Sequence, residues 1–151
     1  MIARDFMTKD VVTCKDSQTV AEAAKLMSEK GFSVVPIVDD SGKLVGIVTE
    51  SDFVGKDVEI PHAMVSLKRV LGENHYHGNI EEIYARAKKR KLKEVMSTRL
   101  VTVEAEATLT AVVEQMTRKN LKRLPVVENG QIVGIVTRKD LIKAFNQMAE
   151  K

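Results

Sequence analysis

The apolar positions of this chain follow two spacings, one typical of an amphipathic helix and one typical of a buried strand. Steps of three and four residues place side chains on one helix face and predict three helices. These steps connect Val20, Ala23, Ala24 and Met27, then Leu109, Val112, Val113 and Met116, and after Thr137 the residues Leu141, Phe145 and Met148. The first of these helices also has a start signal, because Thr19 followed by Glu22 fits a capping box.

Short apolar runs before and between the predicted helices indicate strands. The β-branched residues at 11–13 and 101–103 favour extended structure. Two apolar runs at 34–38 and 44–48 flank a group of turn residues, which predicts a hairpin. The second half of the chain repeats this hairpin around residues 128–130, so that each half reads β-α-β-β-α.

The two halves are copies of one repeat. Residues 42–53 and 130–141 align with seven of twelve positions identical, and the match continues upstream at a constant offset of 89 residues, as from Met7 to Met96. A repeat of about 50 residues buries too little surface to be stable by itself. We therefore predict an α+β (α/β) fold in which the two copies pack as a pseudo-twofold pair.

The limits of the repeat give the domain organisation. We assign residues 1–56 to the first repeat, 57–93 to an inserted segment and 94–151 to the second repeat. Apolar residues in the inserted segment have helical spacing, so we expect helices that dock on the repeats or on a second chain. These residues are Met64, Leu67, Leu71, Ile80, Ile83, Tyr84 and Ala87.

Composition restricts the classes of function. Of the 151 residues, 44% are apolar and 30% are charged, as in a compact folded domain. The apolar runs are far shorter than the ~20 residues that span a bilayer, so we expect no membrane span. The N-terminal residues carry charges without a following apolar stretch, and Cys14 is the single cysteine. We therefore expect a cytoplasmic protein without disulfides.

A G-I-V-T-x-x-D motif ends the apolar part of each repeat, at 46–52 and at 134–140, and follows a strand that contains Pro36 or Pro125. With these residues the sequence resembles a tandem pair of CBS domains, the cystathionine β-synthase type repeats that form a Bateman module. The resemblance covers both repeats and leaves the inserted segment unmatched. It implies a regulatory module, not an enzyme, that binds an adenosine nucleotide between its repeats, with AMP favoured over ATP, ADP or S-adenosylmethionine.

The resemblance also implies which residues bind the nucleotide. The main cleft would consist of Lys122, Arg123, Ile135, Thr137, Arg138 and Asp140 from the second repeat with Thr13, Phe32, Ser33 and Val34 from the first. In similar modules an arginine reaches the phosphate, and the carboxylate of the motif accepts hydrogen bonds from the ribose diol. A second cleft would combine Ile47, Thr49 and Asp52 with Thr102 and Leu121.

The two clefts differ in charge. Arg123 has Val34 as its counterpart in the first repeat, and Arg138 has Glu50. Because cations attract a phosphate and a carboxylate repels it, we expect the cleft with Asp140 to bind the nucleotide more tightly. The resemblance further implies a homodimer formed through apolar helices and a regulated partner protein that the sequence does not identify. It requires no cofactor and no metal.

Structural interpretations exist for the same residues. An N-cap threonine with a first-turn carboxylate has the pattern of Thr137 and Asp140, and a strand-start arginine paired with a surface carboxylate would account for Arg123. Cys14 is expected to be a small buried side chain.

The inserted segment offers an alternative function. Its basic residues at 86–93 suit contact with nucleic acid or an acidic partner, although a solvated last helical turn explains them as well. His62, His75 and His77 also fall in this segment, where solvent-facing histidines are favoured over a metal site.

Overall fold

A computed structural model describes residues 1–54 and 80–149 of the chain. Its helices are α1 Ala3–Phe6, α2 Val20–Lys30, α3 Ser51–Val54, α4 Ile80–Ala87, α5 Leu92–Val95, α6 Leu109–Arg118 and α7 Arg138–Ala149. Its strands are β1 Cys14–Lys15, β2 Val34–Val38, β3 Leu44–Thr49, β4 Val103–Glu104, β5 Arg123–Glu128 and β6 Gln131–Thr137. The predicted helical turns at Met64 to Leu71 lie outside the described residues.

The strands form two three-stranded sheets of equal topology, β1-β2-β3 and β4-β5-β6. In each sheet the short first strand runs parallel to the second, with Cys14 beside Ile37 and Val103 beside Val126. The predicted α+β class is therefore confirmed. The strand expected at 11–13 is wrong, because the parallel pairing begins at Cys14, which enters the core while Val12 stays 41% exposed.

Local signals explain where several elements begin and end. Thr19 caps α2 by accepting a hydrogen bond from the Glu22 N–H at 3.3 Å, as the sequence predicts. The helix ends at Gly31, whose φ of 71° is in the left-handed region that glycine adopts without strain. Asn129 and Gly130 both have positive φ, which suits the tight turn between β5 and β6.

Contacts between residues divide the chain into two compact units, which do not coincide with contiguous repeats. The second-repeat unit contains Met1–Val12, Gly42–Leu44 and the residues from Val101 onward. The first-repeat unit contains Thr13–Ser41 and Val45–Leu100. Residues 1–12 thus pack with the second repeat, and the residues before Val101 pack with the first repeat. The limits assigned to the repeats and the inserted segment stay a prediction.

The first-repeat unit has a core on the helix-covered side of its sheet. Val35, Ile37 and Leu92 are fully buried there, and Ala87 of α4 is 2% exposed. The Leu92 N–H donates to the Gln18 carbonyl at 2.8 Å. The end of the inserted segment therefore packs against this unit, as expected for an amphipathic helix that docks on a repeat.

The second-repeat unit is built in the same way, with α1 in the place of α5. Ala3, Phe6 and Met7 are buried with Leu124 and Val136 in one core cluster. Here the Ala3 N–H donates to the Ala107 carbonyl at 2.8 Å. Arg4 adds ion pairs with Glu106 at 3.1 Å and Glu128 at 2.9 Å. The first eight residues are therefore an integral part of this unit.

Candidate functional site

One face of the second sheet carries the residues expected at the phosphate end of the ligand. Arg123 lies directly opposite Thr137 in the antiparallel pair of β5 and β6. Opposite residues share a face and have Cβ atoms about 4.5–5.5 Å apart. Because side chains alternate, Leu124 and Val136 enter the core, while the half-buried Arg123 and Thr137 lie on the other face. The structure therefore places Arg123 and the motif threonine side by side on this face.

The motif carboxylate belongs to the start of α7. The Thr137 N–H and hydroxyl donate to Oδ2 of Asp140 at 2.9 and 3.1 Å, and the Asp140 N–H donates back to the threonine hydroxyl at 3.3 Å. This reciprocal pattern is a capping box with aspartate as its acid. The interpretation of Thr137 and Asp140 as an N-cap with a first-turn carboxylate is thus confirmed. A ligand contact by these two residues stays a prediction.

The Asp140 carboxylate is 2% exposed and has a partner from the N-terminal segment. The hydroxyl of Thr8 lies 3.1 Å from both carboxylate oxygens. Thr8 reaches this place because it forms a backbone bridge with Ile135 at the free edge of β6, with N···O distances of 2.8 and 2.9 Å. The sequence analysis missed Thr8, although the repeated Met-Thr and Met-Ser pairs at 7–8 and 96–97 were a visible signal.

The glycine of the motif makes room for a methionine of this chain. A Cβ at Gly134 would lie 2.4 Å from Sδ of Met7 and 2.9 Å from the carbonyl oxygen of Thr8. A Cβ at Gly46 would lie 2.3 Å from Sδ of Met96. Close packing of Met7 against Gly134 and of Met96 against Gly46 therefore accounts for a glycine at both positions.

The first turn of α7 carries positive side chains, which interact unfavourably with the helix dipole. Arg138 and Lys139 are its first two residues, and both are exposed. Positive side chains are unfavourable near the N-terminal, positive end of a helix dipole. A bound anion at this end would relieve that repulsion, and the exposed Lys122, adjacent to Arg123, adds to the positive charge.

The first repeat has the same motif in a less basic setting. The Thr49 N–H donates to Oδ2 of Asp52 at 2.7 Å, and Asp52 is half-buried. Glu50 is exposed at the position of Arg138, and its N–H donates to the Ser33 carbonyl at 2.9 Å. Ile47 pairs with Ser97 as Ile135 pairs with Thr8. The two motifs therefore differ in charge, as the sequence indicates. Tighter binding at the second-repeat motif stays a prediction.

Phe32 lines an open surface pocket of about 300 Å³ in the first-repeat unit. The other lining residues are Ala24, Met27 and Ser28 of α2 with Glu50 and Phe53. The Phe32 ring is thus placed among side chains of the helix-covered side of this unit. Its expected contact with a nucleotide stays a prediction.

The predicted site residues divide between the two units. The second-repeat unit holds Lys122, Arg123, Ile135, Thr137, Arg138 and Asp140, together with Thr102 and Leu121. The first-repeat unit holds Thr13, Phe32, Ser33, Val34, Ile47, Thr49 and Asp52. Within the second-repeat unit, Leu121 packs partly buried against the core cluster. Completion of either cleft by residues of the other unit stays a prediction.

Part of the basic segment 86–93 makes contacts within the protein. Helix α4 ends at Ala87, and Arg86 is the basic residue in its last turn. The prediction that a last helical turn explains the basic residues at 86–93 is therefore wrong for the residues after Ala87. Arg90 pairs with Glu94 at 2.7 Å, and Nζ of Lys91 donates to the Ser17 carbonyl at 3.1 Å.

The remaining candidates are the thiol of Cys14 and the possible metal ligands. Cys14 is 3% exposed, and burial, with a smaller contribution from the charge of Glu22, raises the pKa of its thiol, which disfavours the reactive thiolate. Residues 1–54 and 80–149 contain no group of three His, Cys, Asp or Glu side chains arranged to hold a metal ion. The three histidines lie outside these ranges. No helix within them is long and apolar enough to cross a membrane.

Comparison with known proteins gives consistent matches over nearly the whole chain. The profile of the CBS domain family matches residues 3–59 and 92–147. An uncharacterised protein of Methanocaldococcus jannaschii is 31% identical over 96% of this chain and 91% of its own length. The crystal structure of the CBS domain of a CBS domain containing membrane protein from Sphaerobacter thermophilus is 35% identical, with a TM-score of 0.70 over 95% of this chain and 86% of that chain.

A further similar structure contains ligands. The crystal structure of the CBS domain pair of protein MJ0100 is a complex with 5′-methylthioadenosine and S-adenosyl-L-methionine. It is 25% identical to this chain, with a TM-score of 0.64 over 98% of both chains.

Proposed function

The chain belongs to the CBS domain family, and from this premise we propose that it is a regulatory module that binds an adenosine nucleotide, AMP first and then ATP, ADP or S-adenosylmethionine. The observation that carries the proposal is the pairing of Arg123 with Thr137 on the face of the second sheet opposite Leu124 and Val136, next to the capping-box residue Asp140. A guanidinium and a helix N-terminus suit a phosphate, and a carboxylate suits a ribose diol. The ligands of the MJ0100 domain pair both contain an adenosine unit with its ribose diol and no phosphate, so they support the adenosine part of this proposal.

The proposed main site uses Lys122, Arg123, Ile135, Thr137, Arg138 and Asp140, with Thr13, Phe32, Ser33 and Val34 as the residues expected from the first repeat. The first-repeat motif, with Glu50 in place of Arg138, is proposed to bind more weakly. Occupancy regulates a partner protein only if that partner binds one conformation of the module better than another. The role is regulatory and needs no catalytic residue.

A thermal-shift screen with AMP, ATP, S-adenosylmethionine and a short RNA tests this function. At a nucleotide concentration about 100-fold above Kd, we expect the melting temperature to rise by roughly 5–10 °C. A rise with RNA alone that disappears in high salt would instead support action of the basic segment 86–93, since phosphate contacts weaken with salt. An unchanged melting temperature with every nucleotide would reject the proposed function.

The apolar stripe on α7 supports the proposed homodimer. Ile142, Phe145 and Met148 are 68%, 74% and 55% exposed, and they recur on one face of the helix. Apolar side chains grouped in this way favour burial against another surface. We expect that surface to be the same stripe of a second copy, because dimers usually have twofold symmetry.

The variant Phe145→Lys is expected to produce a monomer. A buried aromatic side chain at an interface contributes about 2 kcal/mol or more, so the dimer dissociation constant should increase roughly 30-fold or more. Sedimentation velocity at micromolar concentration measures this change. Gln147→Lys on the opposite side of α7 is the matched control and should leave the dimer intact. Equal sedimentation of wild type and Phe145→Lys would contradict the assignment.

A further inference from the structure

The hydrogen-bond capacity of Asp140 is almost filled without a ligand. A carboxylate accepts about four hydrogen bonds. Among the described residues, the donors to Asp140 are the N–H and hydroxyl of Thr137 and the hydroxyl of Thr8. A ribose diol brings two further donors, which exceeds the remaining capacity. One of the present donors must therefore leave when the diol binds.

Thr8 is the donor that can leave at least cost. The two donors of Thr137 belong to the capping box of α7, and their loss would open the first turn of that helix. Thr8 is exposed, and its backbone is held separately by the two hydrogen bonds to Ile135. Rotation of its side chain alone removes its hydroxyl from the carboxylate.

We propose that Thr8 is an affinity-determining residue that occupies Asp140 in the empty state and must be displaced by the ribose diol of the ligand. This inference rests on the proposed function, because it assigns the competitor of the nucleotide at the same carboxylate. It makes the N-terminal segment the first part of the chain to respond to occupancy, since Thr8 loses its side-chain bond to Asp140 when the ligand binds. Displacement of a protein donor lowers the affinity by the free energy of the lost contact.

The test compares the binding of two ligands to three forms of the full chain. The ligands are AMP and 2′,3′-dideoxy-AMP, which lacks the diol. The forms are wild type, Thr8→Ala, which removes the hydroxyl, and Thr8→Ser, which keeps it. Serine is a matched control because the chain itself has Ser97 at the equivalent position of the second repeat. Isothermal titration calorimetry measures the tight dissociation constants, and NMR titration measures the millimolar ones.

We expect Thr8→Ala to bind AMP more tightly than wild type by roughly 10-fold or more, because a competing hydrogen bond to the charged carboxylate, which contributes about 1.5 kcal/mol or more, is removed. Thr8→Ser should bind AMP like wild type, and the dideoxy ligand should not distinguish the three forms. Weaker or unchanged AMP binding by Thr8→Ala overturns the inference, as does an equal gain for the dideoxy ligand. If wild type binds AMP, such a result leaves the proposed function intact. If no form binds AMP, both proposals fail.

Discussion

Replacement of Asp140 by alanine should weaken AMP binding by roughly 10- to 150-fold. A hydrogen bond to a charged acceptor contributes about 1.5–3 kcal/mol, and the variant removes the carboxylate that is proposed to meet the ribose diol. Isothermal titration calorimetry measures the dissociation constant directly. An unchanged constant would remove Asp140 from the site.

The position of Asp140 calls for a second variant. Its carboxylate is 2% exposed and caps α7, so Asp140→Ala should also lower the free energy of unfolding by about 1 kcal/mol. Asp140→Asn keeps the side-chain shape and separates loss of charge from loss of the fold. Asp52→Ala is the matched control from the first repeat, where the carboxylate accepts from Thr49. Equal losses of AMP affinity from Asp140→Ala and Asp52→Ala would contradict the proposed asymmetry.

Replacement of Gly134 by alanine should lower the free energy of unfolding by about 1–3 kcal/mol, the usual cost of an overpacked site. The new Cβ would lie 2.4 Å from Sδ of Met7 and 2.9 Å from the Thr8 carbonyl oxygen. The thioether can move, but the carbonyl belongs to a backbone that is fixed by its bridge to Ile135. Urea unfolding followed by circular dichroism measures the loss.

Gly46→Ala provides the comparison for this prediction. The two nearest atoms to its Cβ are Sδ and Cγ of Met96, which can rotate away, and the third is Cβ of Met96 at 3.0 Å. The first-repeat variant should therefore lose less stability than Gly134→Ala. In a Met7→Ala background Gly134→Ala should cost less than in wild type but still destabilise, because the contact with the Thr8 carbonyl remains. A Gly46→Ala variant that is as unstable as Gly134→Ala would show that this steric account is wrong.

Elements with strong local signals could be predicted closely from the sequence. The structure has β2 at Val34–Val38, as predicted, and α2 begins after the predicted cap Thr19. The predicted strand at 11–13 failed because a two-residue strand is fixed by its neighbour in the sheet rather than by its own composition. Similarly, helical spacing placed Phe145 on one face of α7 but could not show that this face is exposed.

The candidate site could be predicted only in its local part. Arg123 and Thr137 were identified as ligand residues by resemblance, and their pairing across β5 and β6 joins residues that are close in sequence. The contact of Thr8 with Asp140 spans 132 residues of sequence, and no short-range pattern encodes it. The space next to Gly134 is likewise filled by Met7, which is far away in sequence. Both contacts come from packing of the N-terminal segment on a distant repeat.

The location of α1 has a consequence for how the protein is made. During synthesis the first residues emerge early, yet their partners Ala105 and Ala107 follow about a hundred residues later. Contacts of such long range form slowly, because the closure of a long loop has a large entropic cost. A nascent chain that lacks its last third therefore has an unsatisfied apolar N-terminus, and an isolated C-terminal fragment has an open core. The core of the second-repeat unit forms only when both of these segments are present.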